Sequence, residues 1–313
     1  MKMDDLRLFR YDGGAKLDLA STKTDYSGSF KSKEDASKRF DDCVDAMIEE
    51  QGKLFASGSY ALLIIFQAMD AAGKDGAISH VMSGLNPQGT EVYSFKQPSA
   101  DELRHDYLWR VAKCLPERGK IGIFNRSYYE EVLVVRVHNL LENGPLPEKL
   151  REDIWRRRYE QINGFERYLS ENGIVPVKFF LNISKAEQKK RLLSRIEDQS
   201  KNWKFSESDI KERRYWDDYL RCYEEAINST ASKCAPWYVV PSDKKWYSRL
   251  VIAEVIVKTL KSLGLSYPEL DEPQKELLLK YKGLLDSEDG ESWAEETQVP
   301  AGSSRQSPPS SGK

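Results

Sequence analysis

The sequence predicts an α/β fold, a parallel sheet with helices on both faces, from three observations. Short apolar or β-branched runs alternate with stretches of helical periodicity, as a parallel sheet with helical crossovers requires. The most apolar of these runs passes directly into a loop of small residues and then into a helical pattern. No internal repeat divides the chain, so a single α/β domain is expected.

Taken in order, an N-terminal extension over residues 1–50 leads into a helix expected over about 33–52. Strands are expected at 60–66, 91–95, 120–124, 174–181 and 237–240, where apolar and β-branched residues cluster between turn signals. Helices are expected at 100–115, 127–141, 147–170, 184–196, 206–227 and 242–263, each with apolar residues three and four apart. The main domain spans 51–285. Residues 286–313, built from Asp, Glu, Ser, Gly and Pro, read as a disordered acidic tail.

The chain has 313 residues, 48 Lys and Arg against 50 Asp and Glu, so its net charge of −2 excludes a uniformly basic binder of polyanions. The tail carries six acids and two bases, leaving the body slightly positive, and any anionic partner must be met by a local cluster. Four cysteines and three histidines lie too far apart in the sequence for a zinc motif or a disulfide scaffold. The longest apolar run, Ala61 to Phe66, is too short to span a membrane, and the N-terminus has no apolar signal region, so a cytoplasmic protein without membrane partners is expected.

The loop after the first main strand, Ala68-Met69-Asp70-Ala71-Ala72-Gly73-Lys74-Asp75-Gly76, is a candidate phosphate cradle. Successive N–H groups of Ala71, Ala72, Gly73, Lys74, Asp75 and Gly76 can curl around phosphate oxygens at a helix N-terminus, and Lys74 adds a point charge. The standard GxxxxGK[ST] pattern is not met: Ala68 replaces the first Gly and Asp75 the Ser or Thr. A plain strand-to-helix turn is the alternative, against which Asp70 and Lys74 weigh. A carboxylate among phosphates is repelled unless a divalent cation lies between, which makes Asp70 the candidate Mg²⁺ ligand.

Read with Asn125-Arg126-Ser127-Tyr128-Tyr129-Glu130-Glu131, this loop resembles the polyphosphate kinase 2 family. The resemblance extends through Phe95-Lys96-Gln97-Pro98, Arg191-Leu192-Leu193-Ser194-Arg195, Asn202-Trp203-Lys204-Phe205-Ser206 and the stretch from Ala235 to Tyr247. It implies a P-loop kinase fold with a helical lid at about 185–215, and Mg²⁺-dependent phosphoryl transfer between inorganic polyphosphate and a purine nucleotide. Homodimers or homotetramers are also implied. Many members carry Asp-Arg where this chain has Asn125-Arg126, and the Asn-Arg-Ser-Tyr-Tyr-Glu-Glu form is similar to the class III branch, which accepts AMP and ADP.

Candidate roles follow, each beside its plainer reading. Lys74 and Arg126 neutralise charge on the transferring group, though an arginine at this position also suits a surface ion pair. Glu130 handles metal or acceptor by resemblance, or completes a Ser127-x-x-Glu130 capping box. Residues 185–214 hold ten basic and six acidic side chains. Within them Arg191 and Arg195, four apart on one helix face, together with Lys204, are read as polyphosphate ligands closing with the lid. Lys96, Asn125, Asp243, Lys244 and Lys245 face the crevice at strand ends and are candidates for nucleotide, Asp243 equally for an N-cap. Most aromatics fall at core spacings, so nucleic acid is not expected. The expected activity is transfer of the terminal phosphoryl of polyphosphate to ADP and AMP. The alternatives are an ATP-dependent nucleoside monophosphate kinase and a non-catalytic nucleotide- or polyphosphate-binding regulator.

Overall fold

The computed structural model describes residues 5–142 and 144–286. Six strands form one sheet: β1 (Arg10–Tyr11), β2 (Ala61–Ala68), β3 (Thr90–Ser94), β4 (Ile121–Asn125), β5 (Ile174–Asn182) and β6 (Trp237–Pro241). The helices are α1 (Lys33–Ser57), α2 (Lys74–Val81), α3 (Trp109–Ala112), α4 (Val134–Val137), α5 (Ile154–Glu171), α6 (Lys185–Glu197), α7 (Glu207–Glu212), α8 (Trp216–Thr230), α9 (Lys245–Ser262) and α10 (Glu272–Asp286). The strand order is β1-β6-β5-β2-β4-β3; all neighbours are parallel except β1, which pairs antiparallel with β6 at one edge.

All eight residues of β2 are buried, as its continuous apolar run requires of a central strand. Each fully buried Leu or Ile side chain there contributes roughly 1.5–3 kcal/mol. The chain leaves β2 toward β3 on one side and later reaches β5 on the other, so the order reverses at β2. Its carboxyl end therefore opens on the crevice where ligands of such sheets bind. Helices α1, α2 and α9 pack together, and α4, α5 and α8 form a second group.

The helical predictions hold for the long periodic stretches and fail where tertiary bonds compete. The stretch 100–115 is interrupted at 105–108, where Asp106 Oδ1 accepts the Leu108 N–H, leaving only a 3₁₀ turn, Glu102–Arg104, and α3. The stretch 127–141 splits into a 3₁₀ turn, Tyr128–Val132, and the one-turn α4. Here the hydroxyls of consecutive Tyr128 and Tyr129 both donate to Glu166 Oε1 at 2.8 Å. Side chains one apart on an α-helix point about 100° apart, so drawing both to one oxygen tightens the turn. The third broken prediction, 206–227, is divided by a 3₁₀ turn at Arg213–Tyr215 before α8.

Residues 5–32, within the expected N-terminal extension, form a strap. Leu17 and Leu19 donate their N–H groups to Asn228 and Glu224, and Thr24 meets Asp243. α1 begins at the Ser32 cap and ends at Gly58 in the left-handed region. The chain divides into two compact units at Tyr267, and the second contributes α10 to the described residues. Residues 287–313, most of the stretch read as an acidic tail, lie outside the described residues. Among the described residues no helix is long and apolar enough to cross a membrane.

Behind the 128–132 turn lies a buried ion pair. Lys178 Nζ donates to Glu166 Oε2, Tyr129 Oη and Thr230 O, so its three N–H bonds all have acceptors. Removing one partner of such a pair costs about 3–5 kcal/mol. Glu166→Ala should lower urea-unfolding stability by about that amount, while Glu166→Leu with Lys178→Met should cost less than the two single changes summed. Additive losses in that cycle would contradict the coupling.

Candidate active site

The phosphate loop is shaped by two left-handed residues, Ala71 at φ 58° and Gly73 at φ 104°, between the end of β2 and the first turn of α2. The value at Gly73 is one that only glycine adopts readily. Lys74 Nζ lies 3.1 Å from Ala68 O, folded back over the loop. Burial first, and the Arg126 guanidinium second, hold its ammonium below the ordinary lysine pKa.

Arg126 follows β4 in a left-handed conformation, φ 65°, held by its N–H on Phe66 O at 3.0 Å. For a residue with a side chain that backbone costs about 1–3 kcal/mol and aims the guanidinium across the end of β2. Its Nη2 donates to Asp70 Oδ1 at 3.1 Å, and Nη1 is 3.7 Å from Glu130 Oε2. Ser127 Oγ accepts the Tyr129 N–H, as a cap should, but Glu130 turns to Arg126 instead of completing the box. Burial lifts the Glu130 carboxyl above its ordinary range, opposed by Arg126 and Lys74.

Two cavities meet at Asp70 and Arg126. The larger, about 920 Å³, has the whole loop from Asp70 to Gly76 on one wall and Lys96, Lys201, Lys204, Lys245 and Arg249 around it. The smaller, about 340 Å³, is lined by Glu130, Asp209 and Glu212, the Tyr219 and Tyr223 rings, and His138. Among the described residues the side chains of Lys245 and Arg249 make no ion pair or hydrogen bond. Burial lowers the pKa of both, and Arg191 and Arg249 lower that of Lys245 further.

Of the expected ligands, Asp70, Lys74, Lys96, Asn125, Arg126, Arg191, Arg195 and Lys204 line the larger cavity, with the loop from Ala71 to Gly76. Asn125 Nδ2 donates to Asp75 Oδ1 at 2.7 Å, so two of the three departures from the expected patterns touch each other. Two expectations, Asp243 and Lys244, need correction, and two others, Arg191 and Arg195, line the cavity with protein partners of their own. Arg191 has its guanidinium bound to protein acceptors on every side. Arg195 pairs with Asp209 at 2.8 Å. Asp243 receives the Ser184 N–H and the Thr24 hydroxyl, so it joins strap, α6 and β6 instead of facing nucleotide or capping α9. Lys244 donates to Ser27 Oγ at 2.9 Å, leaving Lys245 as the cavity lysine.

Arg249 was missed, although its spacing of four from Lys245 on α9 is a readable signal. Trp203, 78% exposed beside Lys204 in the cavity wall, also escaped, because a lone tryptophan gives no periodic signal. The acidic and aromatic wall of the smaller cavity comes from α7 and α8, which sequence periodicity read as one continuous helix.

A central parallel strand feeding a phosphate loop, a basic cavity above it and a helical segment over the crevice define a P-loop-type phosphotransferase. Residues 30–266 match the family description "Polyphosphate kinase 2 (PPK2)". The chain is 49% identical over 280 residues to the ADP-polyphosphate phosphotransferase of Rhodopseudomonas palustris, covering 88% of this chain and 97% of that protein. It is 38% identical over 276 residues to the AMP/ADP-polyphosphate phosphotransferase of Meiothermus ruber, covering 88% and 100%. The crystal structure of polyphosphate kinase 2 from Arthrobacter aurescens superimposes with a TM-score of 0.78 at 40% identity, over 87% of this chain and 95% of that one. This chain belongs to the polyphosphate kinase 2 family, whose phosphotransferases use a divalent metal.

Two predictions separate function from stability. Burial and Arg126 disfavour the Lys74 cation, so Lys74→Ala should leave the thermal midpoint unchanged or higher while kcat falls about 10²–10³-fold. A lower midpoint with full kcat would contradict the assignment. The Glu130 pKa is raised in the native protein, so the native state binds a proton more tightly than the unfolded chain, and its carboxylate subtracts stability as pH rises through the native value. Glu130→Gln should therefore raise the midpoint more at about pH 8 than at about pH 5. An equal gain at both pH values would refute this.

Proposed function

We propose that this protein moves the terminal phosphoryl group of inorganic polyphosphate onto ADP, and onto AMP, with Mg²⁺, in a reversible step. The observation that carries the reading is the pairing of two unlike cavities across Asp70 and Arg126. A polyanion without bases suits the larger one, where charge is dense and shape undemanding. A nucleotide suits the smaller, where tyrosine rings and hydrogen-bonding side chains stand beside the reacting end.

In the forward direction a terminal phosphate oxygen of the acceptor attacks the end phosphorus of the chain. The P–O bond to the next phosphate breaks, and polyphosphate leaves one unit shorter. Loop N–H groups and Lys74 hold the donor, and Arg126, reaching both cavities, neutralises charge on the transferring group. Glu130 stands at the acceptor side, which agrees with use of AMP as well as ADP.

Among the described residues no three His, Cys, Asp or Glu side chains converge to form a metal cage. That donor set fits Mg²⁺, which is held at such sites by one or two carboxylates together with substrate phosphates and water. Asp70 is the carboxylate that would hold it, since Arg126 occupies only its Oδ1. When bound, the cation screens the acceptor and donor phosphates from one another and from Asp70. A cytoplasmic homodimer or homotetramer completes the reading.

The test offers purified protein polyphosphate and Mg²⁺ with AMP, ADP, GMP or GDP separately and resolves the products, with ATP plus AMP as control. ATP from ADP and ADP from AMP, with no transfer from ATP to AMP when polyphosphate is left out, is the expected result. Transfer from ATP alone, with polyphosphate inert, would overturn it in favour of a nucleoside monophosphate kinase. Binding without product would favour a regulator.

A further inference from the structure

Three successive carbonyls of the phosphate loop are held by one face of α6. Gln188 Nε2 donates to Asp70 O at 2.8 Å, and Arg191 Nη1 donates to Ala71 O at 3.1 Å and Ala72 O at 2.7 Å. Arg191 Nη2 donates to Ser242 O at 2.6 Å and Asp243 O at 3.1 Å, and Nε to Glu187 Oε1 at 2.9 Å. A guanidinium has five N–H bonds, and all five are engaged. The side chain is only 7% exposed. A charge so enclosed is stable only because every donor has an acceptor.

This arrangement bears on the loop's chemistry. In a trans peptide the C=O and the following N–H point in opposite directions. Fixing the Ala72 carbonyl on the Arg191 guanidinium therefore also fixes the direction of the Gly73 N–H, in the loop that borders the larger cavity. Ala71 is held in the left-handed region although it has a Cβ, and the bond to its carbonyl is one of those that keep it there.

We propose that Arg191, assisted by Gln188, is a positioning residue that presets the anion-binding shape of the phosphate loop through the loop's carbonyls. α6 then belongs to the fixed core as far as Arg191, and any lid movement begins beyond it. This rests on the reading of the loop as a phosphate site. Arg191 and Arg195 both border the larger cavity, but Arg191 has all five donors on protein acceptors and Arg195 pairs with Asp209.

The experiment compares Arg191→Ala, Arg191→Lys and Gln188→Ala with the wild type, reading kcat and KM with long polyphosphate and with tripolyphosphate, the salt dependence of polyphosphate binding, and the thermal midpoint. A misplaced reacting group loses about 10²-fold in rate. Arg191→Ala should lower kcat by about that factor for both donors alike, with an unchanged salt slope, and added guanidinium ion should restore part of the rate. Arg191→Lys keeps the charge but has three donors radiating from one nitrogen, so it should fold and remain slow. It keeps the test open if the alanine variant does not fold. Gln188→Ala should give a smaller loss in the same direction. Wild-type kcat in Arg191→Lys would overturn the proposal, as would a KM increase confined to long chains with a shallower salt slope. Should the wild type use ATP instead of polyphosphate, the same kcat comparison with ATP as donor still tests the clamp.

Discussion

Two polyanions must be brought within bonding distance, and their mutual repulsion is the constraint on which the rest of the architecture depends. The chain meets it by unequal distribution of charge across one line of residues. Cations crowd the larger cavity, acids and tyrosines line the smaller, and the Asp70–Arg126 pair stands on the divide. This crowding is unfavourable in itself: burial and like charge depress the pKa of Lys74 and Lys245. The same burial that strains these cations strengthens their hold on a bound phosphate.

A crowded site of this kind needs rigid supports that add no loose charge to it. Arg191 stands in the cavity wall against the loop, its charge satisfied by five protein bonds. Asp243, 219 residues from Thr24, fastens the N-terminal strap to the start of α6. Glu166 and Lys178 anchor the tyrosines that follow Arg126, so the strained backbone at Arg126 is backed by a buried network with its donors satisfied.

The sequence made legible what depends on local pattern: the buried strand β2, the loop after it, Lys74 at the start of α2, and Arg126 at the end of β4. These follow from an apolar run, glycine placement and strand ends, all short-range signals. The roles of Arg191, Arg195, Asp243 and Lys244 were not legible. Residue type and a spacing of four bring side chains onto one face but do not name the acceptor, and the acceptors of Arg191 on the loop lie 119 and 120 residues away. The turn at 128–132 escaped for the same reason, since what tightens it is Glu166, 37 and 38 residues on. Asn125 and Asp75, each a departure from the expected pattern, are explained together only by their hydrogen bond.

The central claim is that the basic cavity takes the phosphate chain and the acidic, aromatic one takes the acceptor. Lys245 and Arg249 test it best, because they line the first cavity, are absent from the wall of the second and have no structural partner among the described residues. Steady-state kinetics of the Lys245→Ala, Arg249→Ala double variant, with each substrate varied in turn, measures the division directly. A raised KM for polyphosphate with the KM for ADP unchanged is the result predicted. A raised KM for ADP with that for polyphosphate unchanged would contradict it.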